Sequence, residues 1–313
     1  VIVISIVAFI KRREGTLRAE RELLEEKVKE RTQEVSDKNK ELELVNLEMI
    51  SINKEVEQKN NDLNSSIRYA LTIQKASFPT VQELKDVFPN SFIYHLPRDI
   101  VSGDFYWYRK LESKFVIACA DCTGHGVPGA FMSCLGISLL NEIVFGRKIM
   151  EPHTMLEELR NSVIQLIATD KSTDLQIGDG MDMAVVVINT KTNKMQFSGA
   201  MNGFSLVSGG ELFEVKGDKS PIGQHIIPNH TYTMSEHQLK SGDHLYMSTD
   251  GYKDQFGGPK GKKLGKRRLN EKLLDISSFS IPVQNSEIIS FYKNWKNHEE
   301  QIDDVCLFGM KIN

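Results

Sequence analysis

The chain of 313 residues carries 39 basic and 42 acidic side chains, which leaves a formal net charge of −3. Apolar residues make up 40% and charged residues 26% of the sequence, close to a soluble globular average, so wholesale disorder and a multi-pass membrane protein are both excluded. The balanced charge gives no support for a nucleic-acid-binding protein, because such proteins usually carry a strong basic excess. Four cysteines are too few for a disulfide scaffold and indicate reduced thiols in a cytosolic compartment.

The chain opens with an apolar stretch, Val1 to Ile10, which the basic residues Lys11, Arg12 and Arg13 follow. Ten helical residues rise about 15 Å, roughly half of a bilayer's hydrocarbon core, so the stretch cannot span a membrane alone. Since the chain starts with Val and basic residues flank the cytoplasmic side of membrane helices, we expect residues 1–12 to be the end of a transmembrane helix. That expectation places the remainder in the cytoplasm, at the cell inner membrane. A frayed apolar arm and a signal peptide are the alternatives, although the charges of a signal peptide precede its apolar run.

Residues 13–77 are predicted to form one long coiled-coil helix. No Gly or Pro occurs from Thr16 to Phe78, and the stretch from Lys11 to Lys75 holds 14 basic and 14 acidic residues. A 4,3 spacing that starts at Leu17 visits 17 positions up to Ile73, of which 12 are apolar. This seam favours a parallel homodimeric coiled coil over a solvated single helix.

Residues 78–313 hold nearly all of the glycine, proline and aromatic residues and are long enough to bury a full core. Strand-like runs joined by short polar turns alternate with a few amphipathic helices, which predicts an α+β architecture with mainly antiparallel sheets. The predicted strands are Phe92–His95, Phe105–Tyr108, Lys114–Ala120, Asp182–Ile188, Lys194–Ser198, Phe204–Val207, Leu212–Val215, Thr231–Met234, His244–Ser248 and Val305–Lys311. The predicted helices are Gly129–Val144, Pro152–Thr169, Leu269–Ile276 and Asn285–Asn297.

Aspartates recur where the predicted strands meet loops. Asp104 precedes one strand, Asp121 and Asp250 end two others, and Asp303 and Asp304 precede the last. Any one of them alone is typical of a turn or a cap. Several in order around one sheet core predict a site for hard cations such as Mg²⁺ and Mn²⁺, which prefer carboxylate and carbonyl oxygens.

The same stretches resemble a known family, the metal-dependent protein phosphatases (protein phosphatase 2C-like), in the SpoIIE-type branch. Seven segments match in order from about residue 77 to residue 312. They are Ser102–Tyr106, Asp121–Ala130, Gly178–Asp182, Ser198–Asn202, Ser220–Gly223, Ser248–Tyr252 and Asp303–Val305. The resemblance implies an antiparallel β-sandwich flanked by helices, in αββα layers, with a centre of two metal ions at one edge.

The resemblance also implies roles for individual residues. Asp121 resembles the carboxylate that bridges both metals, and the backbone carbonyl of Cys122 resembles a further metal ligand. Asp250 and Asp303 resemble the remaining ligands of the second metal. Asp104 matches the acidic residue of the first motif, which acts directly or through a water.

By resemblance, residues 78–313 are therefore expected to be a serine/threonine protein phosphatase that uses two Mn²⁺ or Mg²⁺ ions to activate water. The branch implies a phosphorylated regulatory protein as substrate, such as an anti-sigma-factor antagonist, and control through the coiled coil. The roles of Asp179 and Asp182 stay open. The alternative is a non-catalytic dimeric signalling or scaffold module that retains the phosphatase fold.

Two weaker signals have simpler explanations. Cys119 and Cys122 form a single CxxC pattern, which without a second pair is weak evidence for a zinc or redox site. Residues 260–268 hold six basic side chains in nine, a run that is usually a solvated loop but could also attract an acidic partner or anionic lipid.

Overall fold

The computed structural model describes residues 2–168, 180–223 and 230–313. By internal contacts the chain divides into two compact units, residues 1–65 and residues 66–313. Each unit is treated by itself below.

The first unit is helical throughout its described residues. Helix α1 (Ile2–Ser77) covers it and ends in the second unit, so residues 2–10 of the apolar stretch are helical as well. The ten apolar seam residues between Leu17 and Leu63 each leave half or more of their surface exposed. Ion pairs one turn apart, such as Arg21–Glu25 and Lys59–Glu55, line the helix and contribute about 0.3–0.5 kcal/mol each.

The second unit contains, within the described ranges, the end of α1, six further helices and thirteen strands. The helices are α2 (Val81–Val87), α3 (Gly126–Asn141), α4 (Pro152–Ala168), α5 (Gly251–Asp254), α6 (Lys266–Ile276) and α7 (Ile281–Lys296), and a π-helical turn (Glu142–Gly146) extends α3. The strands are β1 (Ser91–Leu96), β2 (Phe105–Leu111), β3 (Lys114–Cys122), β4 (Gly180–Asn189), β5 (Lys194–Ala200), β6 (Phe204–Ser208), β7 (Glu211–Val215), β8 (Ile222–Gly223), β9 (Ser235–Gln238), β10 (His244–Ser248), β11 (Phe256–Gly257), β12 (Lys262–Lys263) and β13 (Val305–Lys311).

The long strands form two antiparallel sheets. One sheet has the order β1-β13-β10-β6-β7, and the other has the order β2-β3-β4-β5-β9 with β8 beside β4. Strands β11 and β12 form a separate two-stranded ribbon. The aspartates that the sequence singles out lie at the ends of β3 and β4 and in the loops next to β2, β10 and β13.

The two sheets pack face to face around a shared apolar interior. Ile117 and Cys119 of β3 lie there with Met247 of β10 and Phe308 of β13, all buried. Successive residues of a strand point to opposite faces, so every second residue of β3 enters this layer. Burial of such side chains stabilises the sandwich by about 1.5–3 kcal/mol each.

The outer face of each sheet is covered by helices. Val116 of β3 packs with Leu140 of α3 and Leu159 of α4. On the opposite side of the sandwich, Leu307 of β13 packs with Ile288 of α7. The result is four layers, helix–sheet–sheet–helix, which confirms the predicted α+β class and its αββα order.

Nine of the ten predicted strands overlap strands of the structure, and the prediction for Thr231–Met234 is wrong. The Thr233 amide donates to the Asp218 carboxylate (2.6 Å) rather than to a neighbouring strand, and Tyr232 is anchored through its hydroxyl to the Pro221 carbonyl (2.9 Å). The strand begins only at Ser235. The alternation of polar and apolar residues in this segment predicted a strand, but side-chain hydrogen bonds determine its conformation instead.

One helical stretch of the described chain, Gly126–Gly146, is long and apolar enough to cross a membrane by length and composition. Half of its apolar window is buried inside the domain. It contains α3 and the π-helical turn, which cover the six-stranded sheet, so its apolar character is that of a core helix.

Candidate active site

The last two residues of β3, Asp121 and Cys122, form one side of the site. In the antiparallel ladder Asp121 lies directly opposite Asp182 of β4, and Cys122 lies opposite Met181. The Thr123 amide donates to the Gly180 carbonyl (2.9 Å), which prolongs the pairing by one more bond. Sheet hydrogen bonds thus hold Asp121 rigidly where the strand gives way to a loop.

Asp104 lies just before β2 and is 2% exposed. Its Oδ2 accepts a hydrogen bond of 2.6 Å from the hydroxyl of Thr249, the residue before Asp250. The same hydroxyl accepts from the Cys306 amide (2.9 Å), so it links Asp104 to β13. Asp104 is therefore fixed from the opposite sheet.

The segments around Asp250 and Asp303 approach each other closely. Gly251 follows Asp250 and starts α5, and a Cβ at this position would lie 1.9 Å from the Asp304 carbonyl oxygen. Only glycine permits that approach. Asp303 accepts a hydrogen bond from the Asp304 amide through its Oδ1 (2.9 Å), which orients its carboxylate.

Asp304 acts as a connector between loops. Its Oδ1 accepts from the Arg98 amide (2.7 Å), and its Oδ2 accepts from the Gly103 amide (2.7 Å). Both oxygens of this buried carboxylate are thus engaged by backbone N–H groups. In this way Gly103, which precedes Asp104, is linked to Asp304, which follows Asp303.

The carboxyl groups raise one another's pKa. Burial, then the charges of Asp250 and Asp303, raise the pKa of Asp121 to about 8. Burial and the charge of Asp250 raise the pKa of Asp182 to about 6. Burial and the charge of Asp121 hold the pKa of Asp104 well above its usual range. The structure therefore brings together Asp104, Asp121, Asp250 and Asp303, and adds Asp182.

This donor set suits a hard divalent cation in its chemistry, since it consists of carboxylate oxygens that repel one another. Within the ranges that the structure describes, no three His, Cys, Asp or Glu side chains are gathered closely enough to hold an ion. Asp104, Asp121, Asp182, Asp250 and Asp303 are called the acidic centre below. Binding of a cation would therefore have to draw the carboxylates of the acidic centre closer together. The increases that these carboxylates cause in one another's pKa show that they already lie within electrostatic reach.

The Cys122 thiol is buried in the apolar layer between the six-stranded sheet and α3. Burial, then the charge of Asp121, raise the pKa of the thiol well above its usual value. Cys122 faces the α3 side of the sheet, whereas Cys119 faces the sandwich interior with its Sγ 3.8 Å from Sγ of Cys306. Since the two thiols point to opposite faces of the sheet, the CxxC pattern does not form a metal or redox pair.

The loop after Asp121 is held by close backbone packing. The Gly124 carbonyl oxygen would lie 2.6 Å from a Cβ on Gly103 and 2.3 Å from a Cβ on Gly129. His125 follows, and its Nδ1 is 2.9 Å from Oδ2 of Asp99. The loop is therefore fixed between the segment that carries Asp104 and the first turn of α3.

Sequence reasoning assigned no role to Asp182 or Asp304. Asp304 was visible in the Asp303-Asp304 pair, but its contacts to two loop amides depend on the tertiary fold. Asp182 could have been found by aligning β3 against β4 in register. Asp179 lies outside the described residues.

Comparison with known proteins gives one family and a set of similar folds. The sequence profile of the family described as stage II sporulation protein E (SpoIIE) matches residues 112–313. The SiaA-PP2C domain of Pseudomonas aeruginosa is 28% identical, with a TM-score of 0.74 over 81% of this chain and 98% of that one. No curated protein sequence matches the chain significantly.

Two further structures share the fold at lower identity. The PP2C phosphatase domain with a fragment of the regulatory domain of SpoIIE from Bacillus subtilis is 20% identical, with a TM-score of 0.58 over 71% of this chain and 63% of that one. RsbX in complex with magnesium is 14% identical, with a TM-score of 0.51 over 71% of this chain and 94% of that one. At these identities the likeness extends to the fold alone.

Proposed function

The chain belongs to the SpoIIE family, and we propose that residues 78–313 are a metal-dependent phosphatase that hydrolyses phosphoserine or phosphothreonine on a regulatory protein. The observation that carries the proposal is the convergence of Asp121, Asp250 and Asp303, from three separate segments, within electrostatic reach of one another. A cluster of like charges at a sheet edge is costly to the fold unless a cation compensates it. A site for divalent cations gives these residues a function.

Two Mn²⁺ or Mg²⁺ ions are proposed to bind to the carboxylates of Asp104, Asp121, Asp250 and Asp303 and to the backbone carbonyl of Cys122. When bound, such ions would supply the positive charge that activates a water and neutralises phosphoryl oxygens. A nucleophilic thiol is not required, which agrees with the burial of the Cys122 thiol and its raised pKa.

The chain also offers a cation of its own beside the acidic centre. Lys253 follows Asp250 by three residues, and its charge opposes the rise in the pKa of Asp182. We assign its ammonium group the task of attracting the phosphoryl group of the substrate toward the acidic centre. The phosphorylated partner, proposed to be an anti-sigma-factor antagonist, is inferred from the family alone.

The first unit supports a proposal about assembly. The exposed apolar seam of α1 between residues 17 and 63, although polar residues interrupt it, is long enough for a parallel coiled-coil dimer, in which a second copy of the helix would cover it. Residues 1–12 are proposed to attach this helix to the inner membrane, with the phosphatase domain in the cytoplasm.

The decisive experiment measures metal-dependent hydrolysis by the full chain. A phosphoserine peptide and para-nitrophenyl phosphate would be titrated with Mn²⁺ and Mg²⁺, using the wild type, Asp121→Asn and the control Asp275→Asn, whose carboxylate is exposed. We expect turnover that depends on metal, loss of at least 100-fold in Asp121→Asn and wild-type turnover in the control. Absence of metal-dependent turnover in the folded wild type would favour the non-catalytic signalling module.

A further inference from the structure

Six basic side chains lie within nine residues after α5, where strand β12 leads into helix α6. They form what we call the basic surface and are Lys260, Lys262, Lys263, Lys266, Arg267 and Arg268. All six are exposed. The basic surface is thus a concentrated positive charge on a domain whose overall charge is slightly negative.

The protein's own acidic residues compensate only part of this charge. Three ion pairs are formed, namely Lys263–Asp254 (3.0 Å), Lys266–Glu214 (3.0 Å) and Arg267–Glu271 (3.6 Å). Three acidic partners for six basic side chains leave an excess of three positive charges. Half of the basic side chains also lie in the first turn of α6, where positive charge opposes the helix dipole, so the stability of the helix does not account for them.

The segment that carries the basic surface is held in place by contacts on two sides. The Gly265 amide donates to the Lys253 carbonyl (2.7 Å), and the Gly258 amide donates to the Trp295 carbonyl of α7 (2.8 Å). The Arg268 guanidinium lies over the Trp295 ring, 5.0 Å from its centroid. The charge run is therefore not the solvated loop that its composition suggests, but a surface of fixed shape.

The basic surface borders the acidic centre. Lys263 pairs with Asp254, whose amide donates to the carbonyl of Asp250 (2.9 Å) one helical turn earlier. Lys266 lines the same cleft as Lys253, whose charge acts on the acidic centre. A positively charged path therefore leads from the edge of the acidic centre to the basic surface.

From these contacts we propose that the basic surface binds an acidic segment that flanks the phosphorylated residue of the partner protein. The inference rests on the proposed function and adds a substrate class to it, namely phosphoserine or phosphothreonine with Asp or Glu nearby. An extended peptide advances about 3.3 Å per residue, so carboxylates roughly three to six residues from the phosphorylated one would reach the basic surface. A membrane on this surface would obstruct the acidic centre, which favours a peptide over anionic lipid.

The test uses a charge-neutral variant of the full chain, called the surface variant. It combines Lys260→Gln, Lys262→Gln and Arg267→Gln, which remove three exposed charges from the basic surface. Lys263 and Arg268 are retained, because the first pairs with α5 and the second packs on α7. The melting temperature should therefore stay close to that of the wild type.

The control variant removes the same number of charges from the opposite end of the six-stranded sheet. It combines Lys110→Gln, Lys191→Gln and Lys240→Gln, all at exposed positions. Lys110 lies opposite Phe115 near the start of β3, whereas Asp121 lies near its end, about 20 Å further along the strand. The two variants have equal net charge, so they differ only in where the charge was removed.

Two readouts are compared at saturating Mn²⁺. Fluorescence anisotropy measures the affinity for an unphosphorylated serine peptide with three flanking Glu and for its counterpart with three Gln. Steady-state kinetics measure kcat and KM for the phosphoserine forms of both peptides and for para-nitrophenyl phosphate, which has no flanking residues.

We expect the wild type and the control variant to bind the Glu peptide at least fivefold more tightly than the Gln peptide at low salt, with the preference declining in high salt. In the surface variant the preference should fall to within about twofold. The kinetic loss should appear in KM for the Glu phosphopeptide, while turnover of para-nitrophenyl phosphate stays at the wild-type value.

Three results would overturn the proposal. The first is wild-type affinity of the surface variant for the Glu peptide, and the second is an equal loss of affinity in the control variant, which would mean that only net charge matters. The third is weaker binding of the surface variant, but not of the control, to phosphatidylglycerol vesicles with unchanged peptide affinity, which would assign the basic surface to a membrane.

The anisotropy measurement separates this inference from the proposed function, because it needs no turnover. A Glu preference that the surface variant loses, in a protein that hydrolyses nothing, would leave the docking surface in place and remove the phosphatase activity. Metal-dependent turnover with no preference for flanking Glu would leave the activity in place and remove the docking surface.

Discussion

Asp121 and Asp182 face each other across the β3–β4 ladder, at the edge where both strands meet the acidic centre. Like charges directly opposite in an antiparallel pair destabilise a sheet. The arrangement is therefore unfavourable for the fold in the absence of a cation, and it makes Asp182 a member of the acidic centre by position. Its effects on metal affinity and on the pH dependence of stability can be measured.

The first prediction concerns Asp182. We expect Asp182→Asn to weaken Mn²⁺ binding about tenfold, because one negative charge beside Asp250 is removed, and to stabilise the metal-free protein. Calorimetry and thermal unfolding would measure both effects, with Asp275→Asn as the exposed control. An Asp182→Asn protein with unchanged affinity would exclude this residue from the centre.

The second prediction concerns pH. Burial and neighbouring charges raise the pKa of Asp121 to about 8 and that of Asp182 to about 6, so the folded state keeps protons that the unfolded chain releases above about pH 4. Because the unfolded state then binds fewer protons, the free energy of unfolding falls as the pH rises, by at most about 1.4 kcal/mol per pH unit for each such group.

The loss of stability should extend from about pH 4 toward pH 8, and Asp121 contributes to it up to the top of this range. We therefore expect the metal-free wild type to unfold at a lower temperature at pH 8 than at pH 6, and Asp121→Asn to show a flatter dependence. Calorimetric scans across this window measure the difference. Parallel curves for the two proteins would show that Asp121 does not titrate in it.

The third prediction concerns the glycine contact behind the Asp121 loop. A Cβ in Gly129→Ala would lie 2.3 Å from the Gly124 carbonyl oxygen, so the loop or α3 must shift. We expect destabilisation by about 2–3 kcal/mol, or about 5–10 °C in melting temperature, together with weaker Mn²⁺ binding. In the control, Gly146→Ala, the nearest atom to the new Cβ is the Glu142 side chain at 3.7 Å, and little change is expected. Equal melting temperatures for the two variants would contradict the contact.

The fourth prediction separates backbone from side chain at Cys122. The residue lies in the β3 ladder opposite Met181, and its thiol is buried and held protonated. Cys122→Ala should therefore retain Mn²⁺ affinity and turnover within about threefold, at a cost of about 1 kcal/mol in stability for the lost packing. A loss of Mn²⁺ binding comparable with that of Asp121→Asn would assign the ligand role to the thiol.

The strand alternation and the order of the aspartates were readable in the sequence, because both follow from local chemistry. Nine strands and the convergence of Asp104, Asp121, Asp250 and Asp303 could be predicted in this way. The role of Asp304 could not, since it depends on the amides of Arg98 and Gly103, which are 206 and 201 residues away in the sequence. The strand prediction for Thr231–Met234 was wrong for a different reason, because the Asp218 side chain, 15 residues away in the sequence, accepts from the Thr233 amide in place of a strand partner.

The last prediction concerns control of the phosphatase by helix α1. The helix is continuous from Ile2 to Ser77, and the sequence has no Gly or Pro from Thr16 to Phe78 that would act as a hinge. The polar seam positions Arg31, Lys38 and Lys59 weaken a coiled coil locally and make alternative registers accessible. Two packings that differ by a few kcal/mol suffice for a switch.

Insertions between Asn60 and Asn61 change the helical phase without touching the acidic centre. Inserts of one, two, three and four helix-forming residues shift the heptad phase, whereas an insert of seven restores it. If helical phase controls the enzyme, we expect turnover to vary at least fivefold among the four shifted proteins and to return to the wild-type value with seven. Sedimentation would show whether every protein has the same oligomeric state, so that a change in turnover reflects phase rather than dissociation. Identical turnover in all five proteins would show that the coiled coil is only a tether. Each inserted residue rotates the helix by about 100°, so a stiff helix that transmitted rotation could not give the same turnover in every protein.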